Sequence, residues 1–281
     1  MAMEQVKDLY PDTPPTVLRN REEKFRTAKN IPFWHAIADL VFPRMFKFRF
    51  FSLMIKGEEN YNKIDKRFAT IYYTPHTNWW DGCFGYCTYR RLVKDGKFRL
   101  MIEEMNRFPL FQYIGCFPIN KKNAQTAMKS LQYCAQMLSD PKVGYWIFPQ
   151  GIIRPPSYRP IEFQSGLAYL VKYCVENYGG INLIPISTKY TFLREDKPEI
   201  VARVFEPIII TEFTTDRKEF TEKIQAEFEV LCDNHEREIL SGNLSDYHYF
   251  FKRKLSWWKV IEKKLKNIGM KKAAARQQQG Q

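Results

Sequence analysis

His76 and Asp81 stand five positions apart in Tyr-Tyr-Thr-Pro-His-Thr-Asn-Trp-Trp-Asp, residues 72–81. An imidazole takes a proton near neutral pH, and a carboxylate on its other nitrogen fixes the tautomer and steadies the imidazolium that forms. The spacing constrains how the pair sits. On one continuous helix five residues turn about 500°, which leaves two side chains roughly 140° apart. The pair therefore works only with His76 in the turn before a helix and Asp81 in its first turns, an arrangement that Pro75 and Asn78 permit. Taken alone, the spacing is more often that of a structural histidine. The other histidines are less well placed: His35 in an aromatic segment, His235 on a charged helix and His248 in an aromatic run. No Gly-x-Ser-x-Gly nucleophile turn and no glycine-rich nucleotide loop occurs.

Three further blocks follow. Gly115-Cys-Phe-Pro-Ile-Asn-Lys121 comes first, then Gly144-Tyr-Trp-Ile-Phe-Pro-Gln-Gly-Ile-Ile-Arg154, then Leu183-Ile-Pro-Ile186. Phe148-Pro149-Gln150-Gly151 ends an apolar strand-like run. It reads as a turn at the strand's carboxyl end, where backbone amides approach a ligand and Arg154 reaches an anion. In this order and at these distances the blocks resemble the glycerolipid acyltransferase family, which includes 1-acyl-glycerol-3-phosphate acyltransferase. The resemblance spans about residues 68–210.

The resemblance implies transfer of a fatty acyl group from acyl-CoA or acyl carrier protein to a hydroxyl of a lipid acceptor, foremost a lysophospholipid such as 1-acyl-glycerol-3-phosphate. His76 would take the acceptor's proton, Asp81 would orient His76, and the Gly151 amide would face the oxyanion. Lys121, Phe148, Pro149, Gln150, Gly151 and Arg154 would bind substrate, with Ile184 and Pro185 on the acyl-donor side. No metal and no cofactor beyond the thioester co-substrate is expected. Three positions depart from the family pattern: Gln150 replaces Glu, Lys121 replaces Arg, and Pro75 replaces the common Asn. Gln150 carries no charge, and a lysine lacks the bidentate fork that arginine offers a phosphate. A non-phosphate acceptor, such as a glycolipid or a glycosylated isoprenoid, therefore stays open, as does a non-catalytic membrane lipid-binding protein.

The elements that would position these residues follow from periodicity. Residues 68–210 alternate strand-like and helix-like patterns, predicting an α/β fold with a mixed central sheet flanked by helices. Strands are expected at 68–73, 98–102, 143–148, 183–190 and 200–206, and helices at 78–92, 122–139, 163–178 and 216–240. The apolar stripe Ala127, Met128, Leu131, Cys134, Ala135 and Leu138 marks a core-facing helix.

The net charge of +13 calls for a polyanionic partner. The 16% aromatic content sits among aliphatics rather than alternating with Arg and Lys, which favours an anionic lipid surface and argues against nucleic acid. The domain reading is an extended lead-in at 1–28 and a membrane-interfacial helical segment at 29–57, broken at Pro43. An acyltransferase domain at 58–245, a basic amphipathic helix at 246–272 and a disordered tail at 273–281 complete it. With no signal-peptide pattern and no apolar run of bilayer length, the expected location is the cytoplasmic face of a membrane, peripherally bound. The six cysteines read as buried thiols.

Overall fold

The computed structural model describes residues 25–103, 105–119, 124–193, 195–254, 260–262, 264–268 and 270. Its centre is a sheet made from strands β1 (Ser52–Lys56), β2 (Thr70–Tyr73), β3 (Lys97–Ile102), β4 (Cys116–Pro118), β5 (Val143–Ile147), β6 (Ile181–Thr191), β7 (Glu199–Val204), β8 (Ile208–Ile210) and β9 (His248–Lys252). The spatial order is β4-β3-β5-β2-β6-β7-β1-β9, with β8 also on β6. From β4 to β6 the strands are parallel; β6 meets β7 antiparallel, β1 joins β7 parallel and β9 closes the row antiparallel on β1.

Helices α1 (Pro32–Arg49), α2 (Trp80–Leu92), α3 (Ala124–Met137), α4 (Gly166–Tyr178) and α5 (Arg217–Leu240) pack on it. Because side chains alternate across a strand, adjacent residues feed different cores. Tyr72, Trp146 and Ile184 pack with Phe42 and Phe46 of α1 and Phe84, Tyr86 and Tyr89 of α2. Their neighbours Ile71, Tyr73, Tyr145 and Leu183 pack with Cys134 of α3, Leu170 and Val171 of α4 and Phe228 of α5. A strand covered on both faces carries a continuous apolar run, which is how residues 71–73 and 145–147 read.

The predicted α/β fold with a mixed sheet is thus what the chain forms, and each of the strands and helices expected between 68 and 240 has its counterpart. The two flanking segments differ from expectation. Pro43 sits inside α1, which runs unbroken for 18 residues; Arg44 Nη1 donates to the Leu40 carbonyl at 2.6 Å on that turn. The second part of the 29–57 segment is strand β1 rather than helix, and residues 248–252 of the expected 246–272 helix form β9, paired with β1. In both cases a non-local partner strand overrides the local pattern. Residues 260–262, 264–268 and 270 are helical and exposed. Most of the lead-in and the whole tail lie outside the described residues.

Connections place the reactive loops. The chain leaves β2 through α2 to reach β3, and leaves β5 through α4 to reach β6, so adjacent strands β2 and β5 send their crossovers in opposite directions. Open parallel sheets bind ligands at such a divergence, beyond the strands' carboxyl ends.

Gly85 sets how closely α2 approaches the sheet. A Cβ there would meet the Trp146 indole at 2.7 Å, and that ring is fully buried between Tyr72 and Phe84. Helix propensity alone favours alanine by about 1 kcal/mol, whereas forcing a methyl into a packed core costs about 1–3 kcal/mol. With no room for the indole to yield, overpacking wins. Gly85→Ala is expected to lower stability in urea unfolding, while Gly82→Ala on the same helix, whose Cβ would meet only the Leu100 side chain at 3.4 Å, should leave it unchanged or raise it by up to about 1 kcal/mol.

Candidate active site

The candidate base lies in the loop beyond β2, and its carboxylate partner is the second residue of α2. His76 Nδ1 is 3.1 Å from Asp81 Oδ2. The same oxygen accepts the backbone N–H of Thr77 at 2.7 Å and of Asn78 at 2.9 Å. Asn78 Oδ1 in turn accepts the Trp80 N–H at 2.7 Å, which supplies a cap to the first turn of α2. An acidic side chain in a first turn is also favoured by the helix dipole. The loop-then-helix placement required by the five-residue spacing is therefore the one found.

Asp81 is fully buried, and its other oxygen, Oδ1, accepts the Tyr190 hydroxyl at 2.8 Å. Tyr190 stands near the end of β6, 109 positions away, and no motif pointed to it. Burial, followed by the Asp81 charge, pushes the Tyr190 phenol well above its ordinary range, so it remains a donor. Cys83, also near Asp81, is pushed up to about 12 by burial and then by the Asp81 charge.

The turn after β5 supplies the opposite wall. The Phe148 ring stacks on His76, with centroids 4.2 Å apart and 13° between planes. Gln150 Oε1 accepts the His76 N–H at 2.8 Å, and the Arg154 N–H donates to the His76 carbonyl at 2.8 Å. Both peptide groups of His76 are thus tied to this turn. Gly151 takes φ +71°, the left-handed region open to glycine, and its N–H closes the turn on the Phe148 carbonyl at 2.9 Å.

Not every expected residue faces the same space. Arg154 is buried, with its guanidinium 4.6 Å over the Tyr158 ring and 3.9 Å from Glu162. The Gly151 amide expected to face an oxyanion is engaged in its own turn. Ile184 is a core residue beside Tyr72, and Pro185 pairs with Tyr73 in the β2–β6 register and accepts the Phe205 N–H at 3.0 Å through its carbonyl. Pro149 holds the turn by accepting the Gln164 N–H at 2.8 Å. Lys121 lies outside the described residues. Among the described residues no three His, Cys, Asp or Glu side chains come together as a metal would need.

Comparisons with known proteins bear on this arrangement. No curated protein matches the chain. Among solved structures it is similar to the 1-acyl-sn-glycerophosphate (LPA) acyltransferase PlsC from Thermotoga maritima, at 16% identity and a TM-score of 0.49, over 73% of this chain and 79% of that one. The family model described as Acyltransferase matches residues 53–189, a stretch that opens in β1, contains the His76–Asp81 pair and the Phe148–Gly151 turn, and ends in β6. Over that stretch, just under half of its length, the chain matches the acyltransferase family model.

Proposed function

We propose that the chain transfers a fatty acyl group from a thioester, acyl-CoA or acyl carrier protein, to a lipid hydroxyl at an anionic membrane surface, with a lysophospholipid such as 1-acyl-glycerol-3-phosphate as the acceptor. The observation that carries the reading is the His76 Nδ1 to Asp81 Oδ2 contact at 3.1 Å within the matched stretch. With Nδ1 held by Asp81, Nε2 is the nitrogen that takes the hydroxyl proton. The acceptor oxygen then attacks the thioester carbonyl, the tetrahedral oxyanion collapses, and the thiolate leaves and collects the proton from His76. The chemistry calls for a base and an oxyanion donor, and no metal or cofactor enters the proposed steps. Gly151 serves as that donor only by exchanging its bond to the Phe148 carbonyl for one to the substrate.

Gln150 has a different role in this reading from direct contact with the acceptor. Its carbonyl oxygen holds the His76 amide, so it acts on the loop that carries the base. That, with Arg154 buried against Tyr158 and Glu162, favours a second reading of the acceptor, a glycolipid or glycosylated isoprenoid recognised through neutral hydroxyls.

Membrane docking is supported by α1, which has apolar residues on both sides. His35, Ala38, Phe42 and Phe46 face the core. Phe33, Leu40 and Phe48, 66%, 55% and 78% exposed, recur on the outer side with Arg44, Lys47 and Arg49 nearby in sequence. An outward apolar stripe edged by cations suits the headgroup layer of an anionic bilayer. Among the described residues no helix is long and apolar enough to cross a membrane.

Three outcomes test the proposal. In vesicles supplied with labelled acyl-CoA or acyl carrier protein and either lysophosphatidate or a glycolipid extract, mass spectrometry should find an acylated lipid. His76→Ala should lower its formation by about 10²–10⁴-fold. Label that moves equally with a folded His76→Ala protein rules the mechanism out, and vesicle binding with no transfer to any acceptor identifies a non-catalytic lipid-binding protein instead. Gln150→Leu leaves the His76 N–H without its partner and should cost about 1–3 kcal/mol in urea unfolding, whereas Gln150→Glu, which keeps an acceptor oxygen, should cost less. Replacing Phe33 and Phe48 together by Asp should weaken sedimentation with phosphatidylglycerol vesicles at least about tenfold, since each buried aromatic contributes about 1.5–3 kcal/mol.

A further inference from the structure

Asp81 has two oxygens with different neighbours, and the difference assigns a role to a residue outside every motif. Oδ2 receives His76 Nδ1 and the Thr77 and Asn78 backbone N–H groups. Those two amides belong to the loop that carries His76, so they hold Oδ2 in place whether or not anything meets Oδ1. Oδ1 receives the Tyr190 hydroxyl. Tyr190 is itself held by its register with Ile200 on β7 and by the Phe50 ring, 5.6 Å away at 47°.

We propose that Tyr190 is a positioning residue for the acyl transfer: by donating to Asp81 Oδ1 it sets how much negative charge Asp81 presents to His76. This rests on the reading of His76 as the base. A neutral donor on a fully buried carboxylate draws off part of its charge, and a charge in that setting acts strongly on an imidazole 3.1 Å away. Without the hydroxyl the carboxylate holds the imidazolium more tightly, so His76 is free to accept a proton only at higher pH. Among the described residues Cys83 on α2 also lies near Asp81, and burial keeps its thiol neutral through the assay range. On the β5 side His76 meets the Phe148 ring and the uncharged Gln150, while the Arg154 guanidinium lies over Tyr158, 3.9 Å from Glu162.

Tyr190→Phe removes one oxygen and keeps the ring against Phe50. In the pH profile of kcat/KM for acyl transfer, the acidic limb should move up by about half a unit to one unit, which is a loss of about three- to tenfold on the acidic side that closes at high pH. Phe50→Leu, which loosens the ring but keeps the hydroxyl, should leave the limb in place. A second readout needs no turnover: diethylpyrocarbonate attacks only the neutral imidazole, and peptide mass mapping follows His76 apart from the other three histidines. Its half-reaction pH should rise in Tyr190→Phe by the same amount as the limb. A folded Tyr190→Phe protein with both midpoints unchanged, or with a uniform loss at every pH, overturns the proposal. If the reagent midpoint moves while the wild-type protein acylates no acceptor, the effect of Tyr190 on His76 through Asp81 stands and the acyltransfer reading fails.

Discussion

A carboxylate with no exposed surface must be surrounded by donors, and much of the site's architecture follows from meeting that need at Asp81. Two donors are backbone N–H groups of Thr77 and Asn78, which requires the chain to turn sharply after β2 and enter α2 at once. One is the His76 ring, which requires the loop to carry the histidine back over the helix start. The last is a phenol from β6, which requires α2 to lie close enough to the sheet for a side chain from that strand to reach it. Gly85 is part of the same requirement: a side chain there would lift α2 off Trp146.

The two cores divide the work. Helices α3, α4 and α5 seal one face of the sheet with a largely aliphatic core that includes Leu167, Leu170 and Val171. The other face is strongly aromatic. Phe46 meets Trp80, Phe50 meets both Trp80 and Tyr190, and Trp80 immediately precedes Asp81. The helix with the outward apolar stripe thus rests, through three aromatic rings, on the residues that flank the carboxylate. The exposed apolar stripe of α1 and the geometry of the proposed base are properties of one packed layer.

What could be read from the sequence followed range of interaction. Strands β2, β3, β5, β6 and β7 were legible because a strand buried on both sides carries its own apolar run, and α3 because its stripe repeats every three or four residues, whereas β4 and β8, three residues each, were too short to show a pattern. The His76–Asp81 pairing was legible because both members fall within five residues, so spacing plus helix geometry leaves one workable arrangement. Tyr190 was not: it lies in a strand whose alternation reports burial, and nothing local records a hydrogen bond to a residue 109 positions earlier. Strands β1 and β9 were hidden for the same reason, since each is short and each finds its partner across most of the chain. Pro43 misled in the opposite direction, because a local breaker was outweighed by the packing of Phe42 and Phe46 on either side of it.

The uncharged residue at position 150 changes the electrostatics more than the shape. An amide oxygen holds the His76 N–H as a carboxylate oxygen would, at 2.8 Å, without placing a second negative charge beside the imidazole. Among the described contacts, Asp81 is then the one carboxylate paired with the His76 ring. Arg154, three residues beyond Gly151, finds its carboxylate at Glu162 instead. In a site with a single carboxylate, whatever shares that carboxylate's charge has a larger influence on the histidine than it would where two acids compete. The neutral Gln150 and the neutral donor Tyr190 therefore act in the same direction, leaving the balance between His76 and Asp81 to be set by hydrogen bonds rather than by further charges.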